Sequence, residues 1–174
     1  MAKSRPPAAA APYHRGLPTM PVPTMSESPS GYPANPRLIL KSSYRHWESE
    51  RMRWSDSDMI GHANNLAFGA YCETGRSLFS RDVIRLDFKS GRQFVVSQLI
   101  INFVGELHWP AVVGIGTGVL HIGRSSYRIG QGLFDGERCF GSAECLMVMI
   151  DAQTRRPTPI DEDMRARLAE HRIP

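Results

Sequence analysis

The 174-residue chain has no Cys-x-x-Cys pair, no His-Glu-x-x-His, and only three cysteines, Cys72, Cys139 and Cys145. An odd number of thiols without metal-ligand spacing excludes a disulfide framework and a sequence-local zinc site, so no metal is expected. It predicts buried, reduced thiols in a cytoplasmic setting. No apolar run approaches the roughly 20 residues of a membrane span, and the N-terminus lacks the continuous apolar stretch of a secretory signal. Acidic residues are absent before Glu27. The first 43 residues carry Lys3, Arg5, Arg15, Arg37 and Lys41 against that one acid, which accounts for the whole formal net charge of +4. The remaining chain balances 16 basic against 16 acidic side chains. A pI near 9.2 therefore does not mark a basic folded surface, and neither nucleic acid nor a membrane is an expected partner.

Nine of the 13 prolines precede residue 37. A stretch so interrupted cannot build a packed element, and residues 1–42 are expected to be a disordered Pro/Ala-rich tail before a single folded domain over 43–174. Its arginines faintly resemble a transit peptide, but the prolines oppose the amphipathic helix such a peptide needs. Met20 and Met25 offer alternative translation starts.

Alternation of Met52 and Trp54 with Arg51 and Arg53 predicts a first strand over Trp47–Trp54. From Asn65 to about Val83, Leu66, Phe68, Ala70, Tyr71, Leu78, Phe79 and Val83 predict one long helix, apolar nearly all round in its first half and so buried. Gly69 and Gly75 each lower its intrinsic stability by about 1 kcal/mol relative to alanine. With Ala67 and Ala70 they would let a sheet approach closely. Four long strands are then expected, at Phe94–Val104, Val112–Ile122, Ser126–Phe134 and Cys139–Ile150, with turns at Gly123-Arg124 and Asp135-Gly136-Glu137. Val113, Ile115, Thr117 and Val119 share one face of the second, with glycines opposite. A last short helix follows Pro157 and Pro159, with Asp161 as its N-cap. The fold class is α+β: a bent antiparallel sheet curled around one helix, with edge strands available for association.

The densest chemistry lies in Arg53-Trp54-Ser55-Asp56-Ser57-Asp58-Met59-Ile60-Gly61-His62-Ala63-Asn64-Asn65, just before the long helix. A helix start offers free N–H groups and a positive dipole end. A carboxylate beside it stays ionised, and a carbonyl oxygen aimed at it is polarised. Those are the parts needed to attack an activated acyl group. Asp58 reads as nucleophile or general base, against the plainer reading of a solvated turn aspartate. Asp56, two residues away, is expected to pair with an arginine or cap the turn, because two close carboxylates raise each other's pKa. His62 either orients water and carboxylate or pins the loop. Asn64 and Asn65 at the least cap the helix. Glu73 either reaches the site or, as favoured here, pairs with Arg76 at three-residue spacing. His108 and His121 read as structural.

Four segments in order, the acidic turn from Arg51 to Asn65, Tyr71-Cys72-Glu73-Thr74-Gly75-Arg76, Val95 to Phe103 with Ile122-Gly123-Arg124-Ser125-Ser126-Tyr127, and the exit Thr154-Arg155-Arg156-Pro157-Thr158-Pro159, resemble the hotdog-fold acyl-CoA thioesterases of the 4-hydroxybenzoyl-CoA thioesterase type. The resemblance covers about residues 47–170. It implies a catalytic carboxylate at Asp58, with His62 in the same loop and a backbone N–H donor to the thioester oxygen at Asn65 or its neighbour Asn64. It also implies contacts to the nucleotide end of coenzyme A from Arg124 and Ser125; Gly61, Asn64 and, if it reaches the site, Glu73 are the further candidate substrate contacts. No cofactor is implied, coenzyme A being part of the substrate; the partners are the acyl-CoA and a second copy, as homodimer or dimer of dimers. Cys72 and Gly75 depart from a common pattern of the family, which leaves the acyl group open. Two rival functions stand beside the hydrolase. One is a hotdog-type acyl-thioester dehydratase or hydratase, with His62 and Glu73 as its pair; the other is a non-catalytic acyl-CoA binding module.

Overall fold

The computed structural model describes residues 35–85 and 87–174. The elements that organise it are β1 (His46–Arg51), α1 (Asn65–Phe79), β2 (Arg92–Phe103), β3 (Val112–Ile122), β4 (Ser126–Asp135), β5 (Arg138–Asp151) and α2 (Glu162–Glu170). The five strands form one antiparallel sheet in the order β1-β3-β4-β5-β2. This is the expected hotdog arrangement, with the long helix against the sheet and the four later strands within two residues of their predicted ends. Trp54 falls beyond β1, in a 3-10 turn over Trp54–Asp56. Helix α1 gives way to one π turn at Ser80–Ile84, closed by Arg85 in a left-handed conformation (φ 53°).

Helix α1 separates two apolar clusters. Around its first half lie Phe68, Tyr71, Cys72, Ile115, Leu133 and Phe140. Around its end lie Phe79, Val83, Tyr127, Ile129, Met149 and Met164, the last from α2, whose N-cap Asp161 accepts from Met164 N–H at 2.8 Å. Between the clusters the helix rests on buried polar groups: Gln131 Nε2 donates to the Cys72 carbonyl (3.0 Å) and to Thr117 Oγ1 (3.2 Å). This close approach needs Gly75. A Cβ there would stand 2.5 Å from Ile115 Cγ2 and 2.7 Å from Gln131 Nε2, whereas a Cβ at Gly69 would only touch Ile101 Cδ1 at 3.9 Å. Burial of the helix is incomplete at its start, where Leu66 is 78% exposed.

Residues 1–34 of the expected tail lie outside the described residues, but the boundary at 42 is corrected. Pro36–Ile39 and Lys41–Ser43 form 3-10 turns, the first capped by Asn35, whose side chain accepts from Arg37 N–H. Leu38 is fully buried with Tyr44 and Phe134 on the sheet face opposite α1. Tyr44 Oη donates to the Leu38 carbonyl at 2.6 Å. The reason is the row of glycines facing away from the helix: a Cβ at Gly116 would meet the Tyr44 ring at 2.5 Å, and one at Gly132 the Leu38 carbonyl at 2.6 Å. The missing side chains leave a trough that this segment fills.

Replacing the two helix glycines separates propensity from packing. Gly69→Ala should gain up to about 1 kcal/mol, whereas Gly75→Ala should lose up to about 2 kcal/mol, the overpacking cost of about 1–3 kcal/mol less the helical gain of about 1 kcal/mol. Urea unfolding of both variants measures this.

Candidate active site

The turn preceding α1 is held by Asp56, not by Asp58. Asp56 is 4% exposed. Its carboxylate accepts from Arg53 N–H (2.9 Å), Arg53 Nε (3.1 Å) and Tyr71 Oη (2.9 Å), and its carbonyl accepts from Asn64 N–H (2.8 Å). Burial pushes the Asp56 carboxyl up, but the Arg53 side chain and backbone and the Tyr71 hydroxyl outweigh it and hold the group below the usual carboxylate range. The expectation of a structural, arginine-paired Asp56 is thus met. Its partner Tyr71, one of the apolar positions that predict the buried helix, is fully buried and also fixes the turn to the second turn of α1.

Asp58 lies on the exposed side of the same turn. Its Oδ1 accepts from Ile60 N–H (2.9 Å) and His62 N–H (3.0 Å), and its own N–H donates to the His62 carbonyl at 2.8 Å. Among the described residues Oδ2 has no donor. Gly61 takes the positive φ (84°) that closes this loop and that favours glycine. Asn64 is the N-cap, its side chain accepting from Ala67 N–H at 2.9 Å. The N–H groups of Asn65 and Leu66 find no acceptor among the described residues, as expected for the first turn of a helix. Asp58, Gly61, His62, Asn64 and Asn65 are therefore brought together, and one carboxylate oxygen and two backbone donors are without partners among the described residues. The surrounding surface is apolar: Trp54, Met59, Ile60 and Leu66 are all more than half exposed.

The other predicted site residues sit elsewhere. Glu73 is exposed and makes no ion pair among the described residues, so the favoured bridge to Arg76 is corrected. Eight residues beyond Asn65, it is about 12 Å further along the helix at 1.5 Å per residue. There it lines a cavity of about 410 Å³ with Arg76, Ser77, Ser80, Arg81 and Phe94. His62 does not face it; its Nε2 stands 3.5 Å from Glu106 Oε2. Within one chain, His62 and Glu73, the two residues of the dehydratase alternative, are therefore not brought together. Arg124 and Ser125 lie in the β3–β4 turn, where the Arg124 carbonyl accepts from Ile160 N–H and the Ser125 carbonyl from Met149 N–H. Strand β3 starts beside the Asp58 turn, with Val113 packed among Ala63 and Ala67, and ends at that hairpin, about 33 Å away at 3.3 Å per residue. Within one chain these two residues do not join the site.

The thiols offer no alternative nucleophile. Burial pushes Cys72 up to about 12, against the opposing charge of Arg76, and Cys139 up to about 11, against backbone hydrogen bonding with Gly141 and Leu133. The site has neighbours that local motifs did not reveal. Glu106 and His108 come from the β2–β3 loop, and His108 pairs with His62 as an isolated β-bridge. Only the alternation-breaking loop between two strands hinted at them.

Asp56→Asn should cost about 1.5–3 kcal/mol at neutral pH, the usual worth of hydrogen bonds to a charged group. Because the folded carboxyl is held low, its contribution is complete above the unfolded value of about 3.9 and is lost as pH falls through the folded value. Urea unfolding should show the gap between wild type and variant closing under acid.

A profile of the thioesterase-like superfamily matches residues 52–168. No functionally curated protein matches the sequence. Among solved structures, a predicted thioesterase from Bacillus stearothermophilus is 28% identical, with 72% of this chain and 95% of that one covered at a TM-score of 0.65. The PA5185 protein of Pseudomonas aeruginosa is 24% identical over 77% and 96% (TM-score 0.71). A thioesterase from Thermus thermophilus complexed with coenzyme A and Zn is 23% identical over 72% and 98% (TM-score 0.65). With the profile spanning the acidic turn, α1, strands β2 to β5 and most of α2, the chain belongs to the thioesterase-like superfamily and is a thioester hydrolase.

Proposed function

We propose that this protein hydrolyses an acyl-CoA to the free carboxylic acid and coenzyme A, using Asp58 and the start of α1. The observation that carries this reading is the pairing, in one rigid turn, of a carboxylate oxygen without a donor and two backbone N–H groups without an acceptor. The thioester oxygen is held by the N–H groups of Asn65 and Leu66, where the negative charge that develops on it is stabilised by fixed dipoles. Asp58 Oδ2 either attacks the carbonyl carbon or draws a proton from the water that does. The C–S bond then breaks, and the thiolate leaves without a dedicated acid because its own pKa is low. In the nucleophilic route, water cleaves the resulting mixed anhydride and regenerates the carboxylate. Coenzyme A as the thiol is supported by the complexed Thermus thioesterase, which shares this fold. His62 supports the turn through its backbone exchange with Asp58.

The same reading makes the working unit a homodimer or a dimer of dimers. β2 is paired on one side only, with β5, and exposes Val96, Leu99, Ile100 and Phe103. An apolar edge of this length is a template for a second copy. A partner's hairpin would then be the route by which Arg124 and Ser125 reach a nucleotide. A cytoplasmic setting is supported by three free thiols, and among the described residues no helix is long and apolar enough to cross a membrane.

A thiol-release assay across short, long and aromatic acyl-CoAs tests the chemistry. Asp58→Asn keeps an oxygen for the Ile60 and His62 N–H groups but loses the charge. It should lower turnover at least about a hundredfold, the low end for a general base; unchanged turnover removes Asp58 from the mechanism. Native mass measurement should give two or four times the 19.5 kDa chain, and a monomer at assay concentration contradicts the shared site.

A further inference from the structure

We propose that His62, Glu106 and His108 form a binding site for a divalent d-block cation, zinc best of the common ones. Glu106 Oε2 stands between two imidazoles, 3.5 Å from His62 Nε2 and 3.6 Å from His108 Nε2. The three donor atoms all lie within 4.8 Å of one another. Four ligands around zinc at about 2.0–2.1 Å leave donors about 3.3–3.4 Å apart in a tetrahedron. The two nitrogen–oxygen separations already come within a few tenths of an ångström of that edge. The two rings cross edge-to-face at 4.6 Å between centroids, and each brings its Nε2 to the same Glu106 oxygen.

The tautomer is set as a ligand requires. His108 Nδ1 lies 3.3 Å from the Gly61 carbonyl. A proton on Nδ1 donates to that oxygen and leaves Nε2 bare, the outer-shell arrangement found for metal-bound histidine. The backbone that carries the three residues is pinned from several sides. Gly105 N–H donates to the Phe140 carbonyl (2.9 Å), Arg138 Nη1 to the Glu106 carbonyl (2.7 Å), and Ala63 N–H to the carbonyl of the buried Leu107 (2.8 Å). Two imidazoles and one carboxylate leave an open position for water or another oxygen ligand. Imidazole with a carboxylate suits zinc over magnesium or calcium, which prefer all-oxygen sets.

The site shares its first residue with the Asp58 turn. A bound cation would tie the β2–β3 loop to the loop whose His62 N–H and carbonyl hold Asp58. The inference does not rest on the hydrolase reading, since it concerns cation binding alone.

The test is titration of the metal-free full chain with cobalt(II) and zinc, read by the visible absorption of low-coordinate cobalt and by calorimetry. Glu106→Gln and His108→Ala change exposed side chains, so both variants keep the fold; unfolding melts verify it. The expected result is one cation per chain, with affinity lowered at least about tenfold in each variant and, at equal zinc concentration, a smaller zinc-dependent rise in Tm in the variants than in the wild type. A second donor group, His46, Glu48 and Asp82, serves as the internal control. Its Asp82 is already held by Arg81 through two contacts of 2.6 and 2.9 Å. Absence of stoichiometric binding overturns the proposal. So does binding that survives both loop variants and disappears in Asp82→Asn.

Discussion

The carboxylate of Asp56 is the constraint on which the rest of this molecule's chemistry depends. Burying a charge is costly unless every lone pair finds a donor. Here the guanidinium and backbone of Arg53 and the hydroxyl of Tyr71 supply them, while the Asp56 carbonyl receives the N-cap residue itself. One buried acid therefore joins the segment that follows the first strand, the acidic turn and the second turn of the central helix. The outward-facing neighbour two residues later inherits its position from that anchor. Two aspartates of like charge are kept apart in role by environment: one is surrounded by donors and structural, the other keeps an oxygen in reserve.

A single chain presents this arrangement on an open surface. Trp54, Met59, Ile60 and Leu66 rim it, and β2 carries a further apolar edge. Meanwhile the cavity beside Glu73 and Arg76 lies further along the same helix, bounded by β2 residues Gln93, Phe94 and Val96. On the proposed reading, a second copy laid against β2 covers these surfaces and turns two open half-sites into clefts. The cost of ordering an acyl chain in water would otherwise fall on the substrate alone.

Much of the fold was legible because periodicity and turn chemistry agreed. Val113, Ile115, Thr117 and Val119 with glycines between them specify one covered face, and Asp135-Gly136 specifies the return. Gly75 was rightly read as a place where the sheet comes close; Gly69, chemically identical, was not such a place, since proximity depends on which helix face it occupies. What stayed hidden was non-local. Leu38 sits in a proline-rich stretch whose composition argues against packing, yet the trough over Gly116 and Gly132 admits it. The acidic turn declared its own members, from Asp58 to Asn65, because they are contiguous. Glu106 and His108 are more than 40 residues from His62 and become its neighbours only through a bridge between two loops. Arg124 and Ser125, assigned by resemblance, fall at the opposite end of the sheet because a strand of eleven residues separates them from the turn.

The most direct measurement is a crystal structure of Asp58→Asn soaked with an acyl-CoA, in which slow turnover preserves the thioester. The account predicts the thioester oxygen within hydrogen-bond distance of the Asn65 and Leu66 N–H groups, with the side chain at position 58 facing the carbonyl carbon. A thioester found instead in the cavity of Arg76 and Arg81, with those N–H groups turned to water, would contradict it.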